Sequence, residues 1–272
     1  MSLQLMYITN DPQVAKLAEN AGVDRIWIDL EQFGKEERQQ GMNTVKSNHK
    51  ISDIGIVKEN LSKAEVIVRI NPIYSGSEEE INQVLAEGAD VIMLPMFKTR
   101  EEVVQFIDMV SGRAKTMLLL ETYEASEIID IILEVDGIDE IHIGLNDLHL
   151  SMNKRFMFEL LCDGTVEQLC KKIAQKSIPY GFGGIGRIGY GKVPAEMIVG
   201  EHYRLGSSRA ILSRTFCNTD EEKNIAEIEQ IFKQEIKKIK EYEQMLLHNP
   251  QYDYEANLEN IKMKVNQILK EM

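Results

Sequence analysis

The chain has no apolar stretch near the roughly 20 residues that a membrane-spanning helix needs, so we expect no membrane segment. It also has fewer basic than acidic residues, 31 Lys and Arg against 44 Asp and Glu, and its formal charge of −13 argues against nucleic-acid binding. Its three cysteines are Cys162, Cys170 and Cys217, too few and too widely spaced for a disulfide framework or a zinc site. No basic segment leads into an apolar one at the N-terminus, so we expect a cytoplasmic protein.

A glycine-x-aspartate turn occurs three times before an apolar run, at 22–24, 88–90 and 137–139. Each glycine follows an amphipathic segment and suits the left-handed residue that ends a helix. The runs that follow are almost entirely apolar, as expected for parallel strands that are covered on both faces. Helix, glycine stop and buried strand together form the second half of a repeated βα unit.

Eight such units fit into the chain, which at 272 residues has a length typical of one α/β barrel. The predicted strands are 4–8, 24–30, 65–70, 90–95, 116–121, 140–145, 179–183 and 208–212. The segments with helical periodicity include 11–21, 78–87, 100–110, 124–135, 165–176 and 194–204. Eight alternations predict a (βα)8 barrel, of the TIM type, rather than an open doubly wound sheet.

The composition changes after the eighth strand, so we divide the chain into a barrel core at 1–218 and C-terminal helices at 219–272. Thr219 and Glu222 have the spacing of a capping box, and Asn249-Pro250 interrupts the helix that follows. The last segment carries an apolar stripe at helical spacing: Leu258, Ile261, Val265 and Ile268. This helical arm either packs on its own barrel or docks on a second subunit, because the stripe needs a partner surface.

Two carboxylates follow neighbouring predicted strands, Glu121 after the fifth and Asp147 after the sixth. Active sites of parallel α/β folds lie beyond the carboxyl ends of the strands. A purely structural interpretation is that both acids start helices, a common role for acidic residues. Their matching positions instead favour a shared divalent cation, Mg²⁺ or Mn²⁺, with coordination positions left for the oxygens of a 2-oxo acid.

Arg69 lies near the end of the third strand, where a guanidinium is costly unless it has an anionic partner. It either forms an ion pair in the barrel mouth or binds a substrate carboxylate or enolate oxygen. Asp29 and Glu31 end the second strand, and alternation directs both to the same side. In a functional role, one of these acids contacts a metal ligand or transfers protons. The structural alternative is that both acids belong to the start of a helix.

Four segments in this order resemble the 4-hydroxy-2-oxoheptanedioate aldolase and citrate lyase β-subunit family. They are Ile28-Asp29-Leu30-Glu31, Val68-Arg69-Ile70-Asn71, Leu120-Glu121-Thr122 and Gly144-Leu145-Asn146-Asp147-Leu148. The resemblance covers about residues 5–215 and is most specific at 118–152. It implies a (βα)8 barrel that makes or breaks carbon–carbon bonds next to an enolate and assembles through its C-terminal helices.

By this resemblance Glu121 and Asp147 correspond to metal ligands, for magnesium, manganese or cobalt. Arg69 corresponds to the arginine that stabilises the enolate, and Asp29 and Glu31 to acids near the site. Leu145 and Asn146 of the last motif are expected to contact the substrate.

One position departs from the family pattern, because Gln32 stands where the pyruvate aldolases carry a histidine general base. A glutamine can orient water but cannot accept a proton near neutral pH. His149, two residues after Asp147, is an alternative base or a solvated residue at a helix start. The Asp-Leu-Glu motif that ends at Glu31 also resembles the citrate lyase branch of the family, whose substrates are acyl thioesters.

A glycine-rich segment, 181–189, follows the seventh predicted strand and contains a Gly-x-Gly-x-x-Gly pattern. Its late place in the chain argues against a dinucleotide-binding fingerprint. Loops after strands seven and eight of barrels often bind phosphate, so Gly184, Arg187 and Lys192 are candidates to bind an anionic part of the substrate. The alternative is a tight loop that only closes over the site.

The sequence therefore predicts a metal-dependent carbon–carbon lyase of the aldolase type that acts on a small-molecule 2-oxo acid. The alternatives are a citryl- or malyl-thioester lyase with the same metal and enolate chemistry, or a barrel that binds metal and oxo acid but has lost turnover. We further expect a homo-oligomer that binds neither nucleic acid nor membrane.

Overall fold

Eight parallel strands close into a barrel in a computed structural model of the chain, which describes residues 2–33, 48–213, 215–219 and 224–272. Each strand pairs with its neighbours in chain order, and β8 pairs with β1, so the predicted (βα)8 architecture is confirmed. The strands are β1 Gln4–Ile8, β2 Arg25–Asp29, β3 Glu65–Arg69, β4 Val91–Leu94, β5 Lys115–Leu120, β6 Glu140–Ile143, β7 Tyr180–Ile185 and β8 Arg209–Leu212.

The helices of the described residues alternate with these strands and continue after β8. They are α1 Pro12–Ala21, α2 Ile51–Asn60, α3 Ser77–Ala86, α4 Arg100–Val110, α5 Tyr123–Glu127, α6 Ile129–Ile132, α7 Leu145–Ser151, α8 Glu159–Cys162, α9 Thr165–Gln175, α10 Ala195–Arg204, α11 Ile225–His248 and α12 Tyr254–Glu271. Among them, none is both long and apolar enough to cross a membrane.

The glycine-x-aspartate turns have the backbone that the sequence predicts. Gly22, Gly88 and Gly137 have φ values of 106°, 92° and 91°, in the left-handed region that disfavours side chains. Gly22 also closes α1, donating its N–H to the carbonyls of Ala18 and Glu19. These turns let each strand enter the barrel directly after its helix.

Two helical regions differ from the prediction. The segment predicted as one helix at 124–135 forms the short helices α5 and α6, because Ile128 between them has φ −103° and ψ 17°, away from helical values. Helix α2 has no counterpart among the predicted segments. Only Ile54 and Val57 of it are buried, so its apolar periodicity is weak.

The barrel interior is layered along its axis. At the amino ends of the strands, Glu140 accepts hydrogen bonds from Arg25 and Arg209 at 2.5 and 2.6 Å, in a buried ion cluster. Burial opposes the charge of Glu140, yet the two arginines lower its pKa to about 2. Above the cluster lies an apolar layer of Met6, Trp27, Ile67, Val91, Met93, Met117 and Leu119. The layer at the carboxyl ends is polar, and it forms the candidate site.

The C-terminal helices pack on the barrel of the same chain. Helix α11 lies against α1, and α12 lies against α10 and α8. The stripe of Leu258, Ile261, Val265 and Ile268 is buried in this packing, and the Asn257 side chain donates to the Met197 carbonyl at 3.0 Å. The stripe has its partner surface within its own chain, so it gives no reason for a second subunit, and the homo-oligomer stays a prediction.

Candidate active site

Glu121 and Asp147 are brought to the same end of the barrel by two neighbouring strands. Glu121 follows β5 and is only 2% exposed, whereas Asp147 lies in the first turn of α7, directly after β6. Strands β5 and β6 pair as far as Leu120 and Ile143, which brings the two chain segments side by side. The backbone N–H of Met96 donates to Glu121 Oε1 at 3.2 Å and helps to fix the carboxylate.

The two acids interact unfavourably through their charges. Burial raises the pKa of Glu121 well above its ordinary value, and the nearby negative charge of Asp147 raises it further. The positive charge of Arg69 opposes this shift but does not cancel it. A cation bound by both carboxylates would offset the burial of Glu121 and its repulsion from half-buried Asp147.

The donor set fits a hard divalent cation. Carboxylate oxygens are the ligands that Mg²⁺ and Mn²⁺ prefer, and Mg²⁺ commonly keeps several waters beside one or two carboxylates. Within the described part of the chain, no cluster of three or more His, Cys, Asp or Glu side chains is suited to hold an ion. A cation held by Glu121 and Asp147 would therefore take its other ligands from water or from a bound substrate.

Arg69 is held beside this pair by the two acids of the second strand. Its Nε and Nη2 donate to the two carboxylate oxygens of Asp29 at 2.8 and 2.9 Å, and its Nη1 lies 3.2 Å from Glu31 Oε2. Burial disfavours the charge of Arg69, but Asp29 and Glu31 raise its pKa, so it stays protonated. The guanidinium carbon also lies 5.4 Å from the centre of the Trp27 ring.

A cavity of about 780 Å³ opens above these groups. Asp29, Arg69, Glu121 and Asp147 lie in one part of its wall, and the loops after β7 and β8 form another. Polar groups of those loops in the wall are Lys192, Ser213, Thr215, Asn218 and Thr219. A volume of this order accommodates a ligand considerably larger than a three-carbon acid.

Some of the other residues singled out by sequence line this cavity and some do not. Leu145, Asn146 and Gly184 contribute to its wall. The Nε of Arg187 instead donates to the Phe216 carbonyl at 2.6 Å, and Arg187 lies outside the wall.

Three of the four proton-transfer candidates, His149, Gln32 and Glu31, lie outside the wall of this cavity, whereas Asp29 is part of it. His149 is 8% exposed on α7, where its Nδ1 lies 3.1 Å from the Leu145 carbonyl, the hydrogen bond of a ring packed on its own helix. Gln32 lines a smaller neighbouring cavity of about 370 Å³, and Glu31 is tied to Arg69. His149 is therefore close to Asp147 along the chain but does not line the cavity, because its ring packs against its own helix, α7.

One residue of the wall was missed by sequence reasoning. His49 lines the main cavity, and its Nδ1 accepts the backbone N–H of Asp29 at 3.0 Å. It precedes α2, and no local motif marks it. Only the return of the chain from residue 48 towards the end of β2 brings the ring to the site.

Comparison with known proteins shows the family to which the chain belongs. A family model described as HpcH/HpaI aldolase/citrate lyase matches residues 4–156, a little more than half of the chain. None of the curated proteins compared with the chain matches it.

Three solved structures illustrate the likeness in fold. An HpcH/HpaI aldolase from Desulfitobacterium hafniense DCB-2 is 16% identical, with a TM-score of 0.59 over 78% of this chain and 86% of that one. An HpcH/HpaI aldolase/citrate lyase family protein from Burkholderia cenocepacia J2315 is 11% identical, with a TM-score of 0.64 over 84% and 95%. The citrate synthase SbnG is 17% identical, with a TM-score of 0.61 over 84% and 94%. At these identities the structures support the barrel fold alone.

Proposed function

Because this chain belongs to the HpcH/HpaI aldolase/citrate lyase family, we propose that it is a divalent-metal-dependent lyase. It would break or form a carbon–carbon bond next to the enolate of a 2-oxo acid. The observation that carries the proposal is a pair of carboxylates beside Arg69, buried Glu121 and half-buried Asp147, in the wall of one large cavity.

Glu121 and Asp147 would hold Mg²⁺ or Mn²⁺ at the carboxyl ends of β5 and β6. When bound, the cation supplies electrophilic stabilisation of negative charge on the oxygens of the 2-oxo acid. The protein contributes a buried carboxylate, that of Glu121, held by the Met96 N–H, so little reorganisation of this ligand is needed when substrate binds. Leu145 and Asn146, next to Asp147 in the wall, would contact the same acid.

Arg69 would stabilise the enolate oxygen that forms when the bond breaks. Its contacts with Asp29 and Glu31 do not use every N–H of the guanidinium fork, so others can donate to a substrate oxygen. The two acids keep the guanidinium charged and fix its plane, which preorganises it for charge that develops during the reaction.

A direct assay measures pyruvate release from a panel of 4-hydroxy-2-oxo acids and from oxaloacetate, after chelation and again with added Mn²⁺. We expect release that depends on the metal. Release that chelation leaves unchanged would contradict the metal-dependent reaction. Pyruvate binding that Mn²⁺ tightens, with no turnover of any substrate, would instead favour a barrel that has lost catalysis, the possibility raised by Gln32.

The size of the cavity favours a second candidate within the same chemistry, a citryl- or malyl-thioester lyase. Its wall continues to the β7 and β8 loops, where Lys192 is the only lysine among the lining residues that the structure describes. The thioester of a phosphate-bearing cofactor has an extended anionic tail that would use this space. Cleavage of an acyl thioester in preference to the free acids, under the same metal conditions, would establish this candidate.

A further inference from the structure

Met96, two residues after β4, has a backbone conformation that side chains disfavour. Its φ is 54°, in the left-handed region, and it is one of four residues other than glycine with a positive φ in the part of the chain that the structure describes. A residue with a side chain stays in this region where its surroundings hold it there, and such residues cluster at functional sites. The conformation of Met96 therefore needs a cause in the contacts around it.

One of these contacts ties the segment after β4 to the segment after β5, the neighbouring strand of the barrel. The Thr122 hydroxyl donates to the Phe97 carbonyl at 2.7 Å, and both residues are buried. Phe97 directly follows Met96, and Thr122 directly follows Glu121. The bond therefore holds the backbone of Met96 beside that of Glu121.

The two oxygens of the Glu121 carboxylate have different neighbours. The Met96 N–H donates to Oε1 at 3.2 Å. Burial raises the pKa of Glu121, and this hydrogen bond opposes the rise because it favours the ionised carboxylate. The other oxygen, Oε2, lies beside Gly144, where a Cβ would come within 2.8 Å of it. Since Gly144 leads into the first turn of α7, Oε2 is the oxygen on the side of Asp147.

We propose that Met96 is a positioning residue for Glu121, a role that rests on the metal-dependent function proposed above. Its N–H holds Oε1 on the side of β4 and leaves Oε2 for a cation shared with Asp147. Hydrogen bonds that orient a metal ligand in this way commonly account for about 10- to 100-fold of the metal affinity. The donor is a main-chain group, so the role depends on the left-handed backbone at residue 96 and not on the methionine side chain.

Two substitutions at residue 96 keep the N–H but change the backbone preference. Glycine adopts a positive φ without strain, whereas β-branched valine is rarely found there. By calorimetric titration we expect Mn²⁺ affinity within about 3-fold of the wild-type value in Met96→Gly and lower by about 10- to 100-fold in Met96→Val. Weaker binding in Met96→Gly than in Met96→Val would indicate a role of the side chain, and wild-type affinity in both would indicate no role. Either result overturns the proposal.

Ser111 provides the matched control. Its φ of 51° is close to that of Met96, and it lies on the exposed surface at the end of α4. Ser111→Val should strain the backbone to a similar extent but leave Mn²⁺ affinity at the wild-type value. An equal loss of affinity in Ser111→Val and Met96→Val would show that general destabilisation is the cause, and it would overturn the role of Met96.

Glu121→Gln distinguishes a failure of this inference from a failure of the proposed function. Loss of Mn²⁺ binding in Glu121→Gln, together with unchanged binding in Met96→Val, would overturn the role of Met96 and leave the metal-dependent function intact. Unchanged binding in Glu121→Gln would overturn both.

A second measurement does not need Met96→Val to fold. In protein labelled with ¹⁵N at its 13 methionines, the Met96 amide signal is the one lost in Met96→Gly. We expect Mg²⁺, which is not paramagnetic, to shift this signal as it binds, because the N–H donates to the carboxylate that takes up the cation. A Met96 signal that stays in place while calorimetry detects Mg²⁺ binding would overturn the role of Met96.

Discussion

Gly144 lies directly against the carboxylate of Glu121. A Cβ at Gly144 would come within 2.8 Å of Glu121 Oε2 and 2.9 Å of Glu121 Cβ, closer than atoms of a packed protein approach. The backbone there has ordinary dihedral angles, φ −81° and ψ 87°, so a side chain is excluded by space and not by conformation. The position of the Glu121 carboxylate, a proposed metal ligand, therefore depends on the absence of a side chain at Gly144.

Gly144→Ala should therefore weaken metal binding while leaving the barrel folded. The new methyl group would displace the Glu121 carboxylate, and misplacing one ligand by a fraction of an ångström reduces affinity by about 10- to 100-fold, similar to the loss of a residue that orients a ligand. Calorimetric titration with Mn²⁺ measures the change, and circular dichroism checks the fold. Unaltered Mn²⁺ affinity in a folded variant would show that Glu121 does not bind the metal.

Arg69→Lys should lower kcat far more than it lowers Mn²⁺ binding. A lysine cannot make the two parallel bonds to Asp29 that fix the guanidinium plane at 2.8 and 2.9 Å. Loss of one donor to developing charge costs about 100- to 1,000-fold in kcat. Steady-state kinetics and Mn²⁺ titration of the same sample test this.

The matched control is Arg113→Lys, whose side chain donates to Asn82 on the exposed surface. Its kcat should be that of the wild type. A kcat of Arg69→Lys equal to that of the wild type would show that Arg69 only forms ion pairs with Asp29 and Glu31.

Lowering the pH below about 6.5 should destabilise the fold through buried histidines. Burial lowers the pKa of His142 to about 4 and that of His202 to about 3, the latter with a further contribution from His142. The unfolded chain therefore takes up protons that the folded chain resists. Stability is full above pH 6.5 and is lost as the pH falls towards 4, by about 1.4 kcal/mol per pH unit for each such proton.

His202→Phe isolates one of these protons. The ring of His202 stacks on Phe182 with centroids 4.0 Å apart, and an aromatic replacement keeps that contact. Urea unfolding at a series of pH values should give a slope smaller by about one proton than in the wild type. An unchanged slope would mean that His202 is not the group responsible.

The sequence predicts most of the barrel because its strands are short, apolar and bounded by glycine turns. Strand β1 has the predicted ends, and β3 and β8 differ by one residue at a single end. The sequence also indicates Glu121, Asp147 and Arg69 as site residues. Charged side chains at the carboxyl ends of apolar strands in a parallel barrel face the end of the barrel where active sites lie. Their prediction needs only the local sequence pattern and the general rule that active sites of such barrels lie at the carboxyl ends of the strands.

What the sequence does not predict depends on how separate loops meet. His49 joins the wall through a contact with Asp29, 20 residues earlier in the chain. Arg187 was expected at the substrate, but the Phe216 carbonyl is its partner. His149 lies two residues from Asp147, yet the turn of α7 places its ring against Leu145. Such positions follow from three-dimensional packing and not from spacing along the chain.

The central claim is that Glu121 and Asp147 together hold one divalent cation, and Mn²⁺ titration of matched variants tests it most directly. The variants are Glu121→Gln, Asp147→Asn and the control Glu124→Gln, an exposed acid three residues along that pairs with Lys98. We predict one Mn²⁺ per chain in the wild type and the control, and none at the same concentrations in either site variant. Equal Mn²⁺ binding by all four proteins would contradict the account.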